Sequence, residues 1–161
     1  MNNTNNTLKK IALDGWNTQI TRANKLIDGL TDEQLLHEVA PSRNSGLYLL
    51  GHLTAVHDAM LPLMDLCEKL HPEMEEVFIK NPDKSSLQKP SAKQVRENWH
   101  QVNTHLTQKM EALSGEQLLD KHNSVSAEDF EKEPHRNKLN IIIGRTGHLA
   151  YHLGQMAFLK K

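Results

Sequence analysis

Two histidines four residues apart, His148 and His152, stand in the run Gly147-His-Leu-Ala-Tyr-His-Leu-Gly-Gln155. On a helix that spacing puts both imidazoles on one face, a turn apart, where they can converge on a single ion. Spacing alone is weak in a chain with ten histidines, because His52/His57 and His100/His105 are close pairs too. Two features set the last pair apart. Ile141, Gly144, His148, His152 and Gln155 fall along one flank of the inward face of that helix. Gly144, Gly147 and Gly154 interrupt the same helix. Each glycine costs about 0.5–1 kcal/mol relative to alanine there, which predicts close approach of a ligand, an ion or a neighbouring helix. A third candidate ligand, His52, lies in another helix between Leu49 and Val56 of an apolar stripe. A histidine so placed can equally be a hydrogen-bonded core residue, and the residues by themselves leave both readings open.

Three neutral imidazoles would leave a coordination position open for water or for a thiol, either of which ionises more readily there. Each ring must pass its second proton to an acceptor. Gln155, Asn140 and Asp58 are the candidates, and Gln155 has the alternative of simply packing or capping a backbone group. No further catalytic residue can be named. His37, His71, His122 and His135 fall in or beside loops and are expected at the surface. His57 is about 140° around its helix from His52, so it should not join the same ion. His105 lies beside a helical seam and could face the pocket. Cys67 reads as a small buried apolar residue, with no histidine or aspartate close in sequence to activate it. There is no glycine-rich phosphate loop and no serine nucleophile elbow.

The elements that must position these groups are helical. No convincing alternating stretch of β-branched residues occurs. A first helix is expected from Thr7 to Gly29, carrying Leu8, Ile11, Ala12, Trp16, Ile20, Ala23 and Ile27 at spacings of three and four. Thr31-Asp-Glu-Gln34 is a capping-box pattern opening a short turn. A second helix should start at Ser45 or Gly46, kink at Pro62 and end near His71-Pro72. Its stripe is Leu49, His52, Val56, Ala59, Leu63, Leu66 and Leu70. After the polar stretch Asn81–Pro90, Ser91-Ala-Lys-Gln94 reads as another capping box. It opens a third helix with the seam Val95, Trp99, Val102, Leu106, Met110 and Leu113. Leu118–Glu133 reads as a long loop with one helical turn, and a fourth helix runs from Asn137 to Leu159. Glu-Gln-Leu-Leu follows a capping signal twice, after the first helix and after the third. Either two helix ends share good local chemistry or a helix-pair unit is used twice. Four amphipathic helices imply an all-α four-helix bundle with long connections after helices two and three.

At 161 residues the chain is expected to be one domain, 1–161. A chain of this size can bury roughly 70% of its unfolded surface, so it needs no disulfide or structural metal to fold. Nineteen basic and twenty acidic residues give a net charge of -1. That balance offers no footprint for nucleic acid or for an anionic membrane. One cysteine excludes an internal disulfide. The polar start MNNTNNTLKK is unlike a signal peptide, and no apolar run approaches a membrane span. A cytoplasmic protein is expected.

Leu47-Tyr-Leu-Leu-Gly-His52 in helix two and His148-Leu-Ala-Tyr-His152-Leu-Gly-Gln155 in helix four resemble the motif pair of the DinB-like superfamily. The Trp16 helix, the Leu-Thr-Asp-Glu-Gln-Leu turn and Pro41-Ser-Arg-Asn-Ser45 are similar to the family as well, so the resemblance spans nearly the whole chain. It implies an up-down-down-up bundle and a divalent ion, zinc or nickel, on His52, His148 and His152. Characterised relatives include thiol-dependent S-transferases and an isomerase, and many members are dimers. The expectation is therefore a metal-dependent transferase or hydrolase acting on a small molecule. It would use a low-molecular-weight thiol as co-substrate, form a homodimer and have no nucleic-acid partner. The rival expectations are a non-catalytic protein whose ion stabilises the bundle, and a dimeric interaction module.

Overall fold

The structure, a computed structural model, describes residues 2–160. Helix α1 (Asn2–Asp28) leads through the short α2 (Asp32–Leu36) to α3 (Gly46–Asp58). Short helices α4 (Met60–Leu63) and α5 (Met74–Phe78) precede α6 (Ala92–Ala112). A 3-10 turn (Gln117–Leu119) and α7 (Ala127–Lys132) lead to α8 (Lys138–Met156), which ends in another 3-10 turn (Ala157–Leu159). The architecture is all-helical. Two isolated bridges, Glu38 to Ser45 and Lys121 to Asn137, are the extended pairings among the described residues.

Polar side chains start these helices. Thr31 and Gln34 satisfy each other's backbone N–H groups in a full capping box. Ser114 and Gln117 do the same at the second Glu-Gln-Leu-Leu segment, but there the chain completes only a 3-10 turn. Ser91 accepts from the Gln94 N–H, while the Gln94 side chain turns away to Asn98, so that expected box is half made. Ser45 and Asn137 cap the two helices that carry the histidines. Helix α1 begins at Asn2, five residues before the expected start at Thr7, in a polar turn where Thr7 donates to the Asn3 carbonyl.

The expected kink at Pro62 is instead a break. Proline has no N–H for the Asp58 carbonyl and its ring crowds that turn, so α3 stops at Asp58. Helix α4 then closes on Asp65, whose φ is 58°. Leu66 N–H bonds the Leu61 carbonyl and Asp65 N–H bonds the Pro62 carbonyl, a Schellman ending on a non-glycine residue. Residues 66–73 therefore loop back over the bundle, and the carboxylate of Asp58 accepts the N–H groups of Leu70 and His71, each at 2.8 Å.

Core packing divides into two clusters. One gathers Ala23, Ile27, Leu50, Leu53, Phe78, Trp99 and Leu149, and the other Trp16, Met60, Leu61, Met64, Leu106 and Ile142. Both buried indoles find acceptors: Trp16 donates to Thr107 at 3.0 Å and Trp99 to Asn24 at 2.8 Å. With Lys9 on the Leu113 carbonyl just past α6 and Arg96 on the Ile27 carbonyl, these pairs run in opposite order along α1 and α6, so the two helices are antiparallel. Helix α3 packs mainly on α6 and α5, and α1 packs mainly on α8.

Candidate metal centre

His52 sits at the middle of α3, facing α8 across the bundle. Its ring is held by the backbone: Nδ1 lies 2.9 Å from the Phe78 carbonyl at the end of α5. A carbonyl can only accept, so Nδ1 carries the proton and Nε2 presents a bare lone pair. Gly51 makes this possible. A Cβ there would run into the Phe78 ring, so only glycine lets α5 lie close enough to α3 for its last carbonyl to reach His52.

Helix α8 supplies the other two rings. His152 Nδ1 is 2.7 Å from Gln155 Oε1, which again fixes the proton on Nδ1 and leaves Nε2 bare. Gln155 is oriented in turn by donating to the Tyr151 hydroxyl at 3.3 Å. His148 Nε2 lies between the other two, 3.4 Å from His52 Nε2 and 3.0 Å from His152 Nε2. All three ligand atoms fall within 4.8 Å of one another, with the rings half-buried. Two imidazoles on one tetrahedral ion at 2.0–2.1 Å would place their nitrogens about 3.3–3.4 Å apart, so the spacing fits. A proton on His148 Nε2 can serve only one of its two neighbours and leaves lone pairs facing each other. A cation at the centre serves all three.

The site's electrostatics favour neutral imidazoles, the form that ligates. Burial, then His152, His52 and Arg145, push His148 down to about 4. Burial also lowers His152, partly opposed by the Gln155 hydrogen bond. Among the described residues His148 Nδ1 is buried without a partner, which is costly in a ring that must present one nitrogen and shelter the other.

Of the expected proton acceptors, the structure places Gln155 on His152 and the other two elsewhere. Asn140 is exposed, two turns before His148 in α8. Asp58 is buried, with both oxygens committed to the Leu70 and His71 backbone, because the Pro62 break brings that loop onto it. The three glycines of α8 do not mark a close approach: Gly144, Gly147 and Gly154 are exposed, and a Cβ at any of them would meet open space. His122, expected at the surface, is 7% exposed and bonded to Ser124.

Several groups were invisible to sequence reasoning. The Phe78 carbonyl is a backbone atom and leaves no side-chain signal, although the conspicuous glycine before His52 was a trace of it. His57 does not join the centre. It is fully buried between Trp16 and Trp99, with Nδ1 2.7 Å from Asn103 Oδ1, and burial pushes it down to about 3. His105 does not reach the centre either. Its Nε2 lies 3.4 Å from Cys67 Sγ, a pair brought together by the loop after α4.

No curated protein matches the chain. The family model described as the DinB superfamily matches residues 16–156, from the buried Trp16 to the last residue of α8. With that match covering all three histidines, the second half of α1 and the whole of α3, α6 and α8, the chain belongs to the DinB superfamily.

Proposed function

We propose that this protein is a metal-dependent transferase or hydrolase acting on a small molecule, with a low-molecular-weight thiol as co-substrate. The observation that carries the reading is the convergence of three Nε2 atoms, two of them fixed as bare lone pairs by Phe78 O and Gln155 Oε1. His52, His148 and His152 would hold one divalent ion, zinc or nickel, both of which suit imidazole ligands. A dication held there supplies Lewis acidity and lowers the pKa of a water or thiol beside it. The protein's own part is to keep His148 and His152 neutral and all three rings correctly turned, and to leave one side of the cluster open. That side is a cleft of about 280 Å³ bounded by His152, Gln155 and the loop at Ser42–Asn44. Elemental analysis of the native protein should find one zinc or nickel per chain. A scan of small thiols with model electrophiles should then give turnover that His148→Ala abolishes. Turnover retained in that variant would sink the assignment.

Two further parts of the reading rest on separate observations. The antiparallel α1/α6 pair and the association of α1 with α8 support an up-down-down-up four-helix bundle. A homodimer is supported by one outward strip along α8 and the 3-10 turn after it, where Ile143 is 57%, Tyr151 64% and Phe158 76% exposed. Sedimentation should show a dimer that Phe158→Lys dissociates, and a monomeric wild-type protein would overturn this part. No helix among the described residues is long and apolar enough to cross a membrane. The single free thiol, Cys67, supports a cytoplasmic setting.

A further inference from the structure

The three-histidine cluster contains no carboxylate, and none lines the cleft beside it. The cleft's charged group is Arg43, with Ser42, Asn44, Tyr151 and Gln155 around it. Among the described residues the Arg43 guanidinium makes no ion pair and no side-chain hydrogen bond. The acids of that loop are committed elsewhere. Glu38 takes Lys84 at 2.7 Å on one oxygen and the Ser42 N–H at 2.8 Å on the other. Asp83 takes the Ser45 N–H at 2.6 Å and Lys89 at 3.1 Å.

The loop itself is pinned. Val39 N–H bonds the Asn44 carbonyl, Arg43 N–H bonds the Ala40 carbonyl, and Ser42 takes the left-handed region at φ 62° to close the turn. Arg43 is thus presented from a braced turn, with its charge uncompensated. A second arginine, Arg145, lies one turn before His148, half-buried and likewise without a partner among the described residues. A dication on three neutral ligands, flanked by two unpaired guanidiniums, is a strongly positive, partly desolvated place. Such charge is stable only when an anion shares it.

We propose that the small molecule brought to this centre carries a carboxylate, and that Arg43 holds it in the cleft as the specificity-determining contact. The planar guanidinium suits a carboxylate in two-point fashion, and Ser42, Asn44 and Tyr151 offer donors beside it. This rests on the three-histidine reading, because the cleft is placed for a ligand whose other end reaches the ion.

The test uses cobalt-loaded protein and two thiols matched in size, 3-mercaptopropionate and 3-mercaptopropanamide, followed by the sulfur-to-cobalt absorption band. Wild-type protein should bind the carboxylate at least roughly tenfold tighter than the amide, as a charge-assisted pair would. Arg43→Gln should erase that preference while cobalt uptake and amide binding stay as they were, and Arg43→Lys should restore part of it. Equal binding of the two thiols by wild type, or a preference kept in Arg43→Gln, would overturn the proposal. Failure to take up cobalt would count against the metal reading instead. Arg43 is then judged on metal-free protein by NMR titration with propionate and propionamide. A side-chain Arg43 response to propionate alone supports the proposal, and no selective response overturns it.

Discussion

His52 and His57 stand five residues apart on one helix and meet opposite fates. His52 is half-buried, its Nδ1 donates to a carbonyl, and its Nε2 faces two other imidazole nitrogens. His57 is fully buried, its Nδ1 is bonded to Asn103, and its Nε2 is shut between tryptophans with no partner among the described residues. Both rings are held by one fixed acceptor. What separates them is what the free nitrogen sees: lone pairs that need a cation in one case, and an apolar wall in the other. The first arrangement is compatible with holding a cation, and the second is closed to one.

The sharpest way to break the comparison is to remove a ring from each place. His148→Ala should lower zinc affinity by more than about 100-fold, since even a lost supporting group typically costs 10–100-fold. His57→Gln should leave zinc affinity intact, and isothermal titration would show both. Gln155→Leu should fall between, with zinc affinity reduced by roughly tenfold, because the His152 ring loses its anchor.

Gly51 and Gly154 make a second contrast on the two helices of the site. Gly51→Ala forces the Phe78 ring aside and should cost about 1–3 kcal/mol by urea denaturation, with weaker metal binding as the Phe78 carbonyl withdraws from His52. Gly154→Ala points into open space and should stabilise by about 0.4–1 kcal/mol.

The acid limb of stability in metal-free protein carries His57 together with His148 and His152, which burial lowers as well. The folded pKa of His57, about 3, lies below that of an exposed histidine, so the unfolded chain binds the extra proton first. That contribution is complete above about pH 6.5 and is lost progressively as pH falls toward 3. In metal-free protein His57→Gln should partly flatten the profile there, and a profile unchanged in shape would show that burial of His57 is not what drives it.

The comparison also explains what could be read from the chain. The helical periods around Leu49–Val56 and Val95–Met110 gave the long elements, because an amphipathic helix writes its buried face into its spacing. The His148/His152 pair was legible for the same reason. Spacing reports facing, but it does not report what is faced. It could not find the Phe78 carbonyl behind His52, the Asn103 partner of His57, or the Cys67–His105 pair, all of which depend on chain returning from far away. It misread the glycines of α8, since a missing side chain looks the same against a neighbour as against open space. Pro62 was seen as a kink, but the left-handed Asp65 that completes the break needs a φ no residue type announced.

The central claim is that three imidazoles share one ion. X-ray absorption at the zinc edge of protein loaded with one equivalent tests it most directly. Three imidazole nitrogens at about 2.0–2.1 Å, falling to two or fewer in His148→Ala, are the predicted result. A first sphere with fewer than three imidazoles in the wild type, or one unchanged by the substitution, would contradict it.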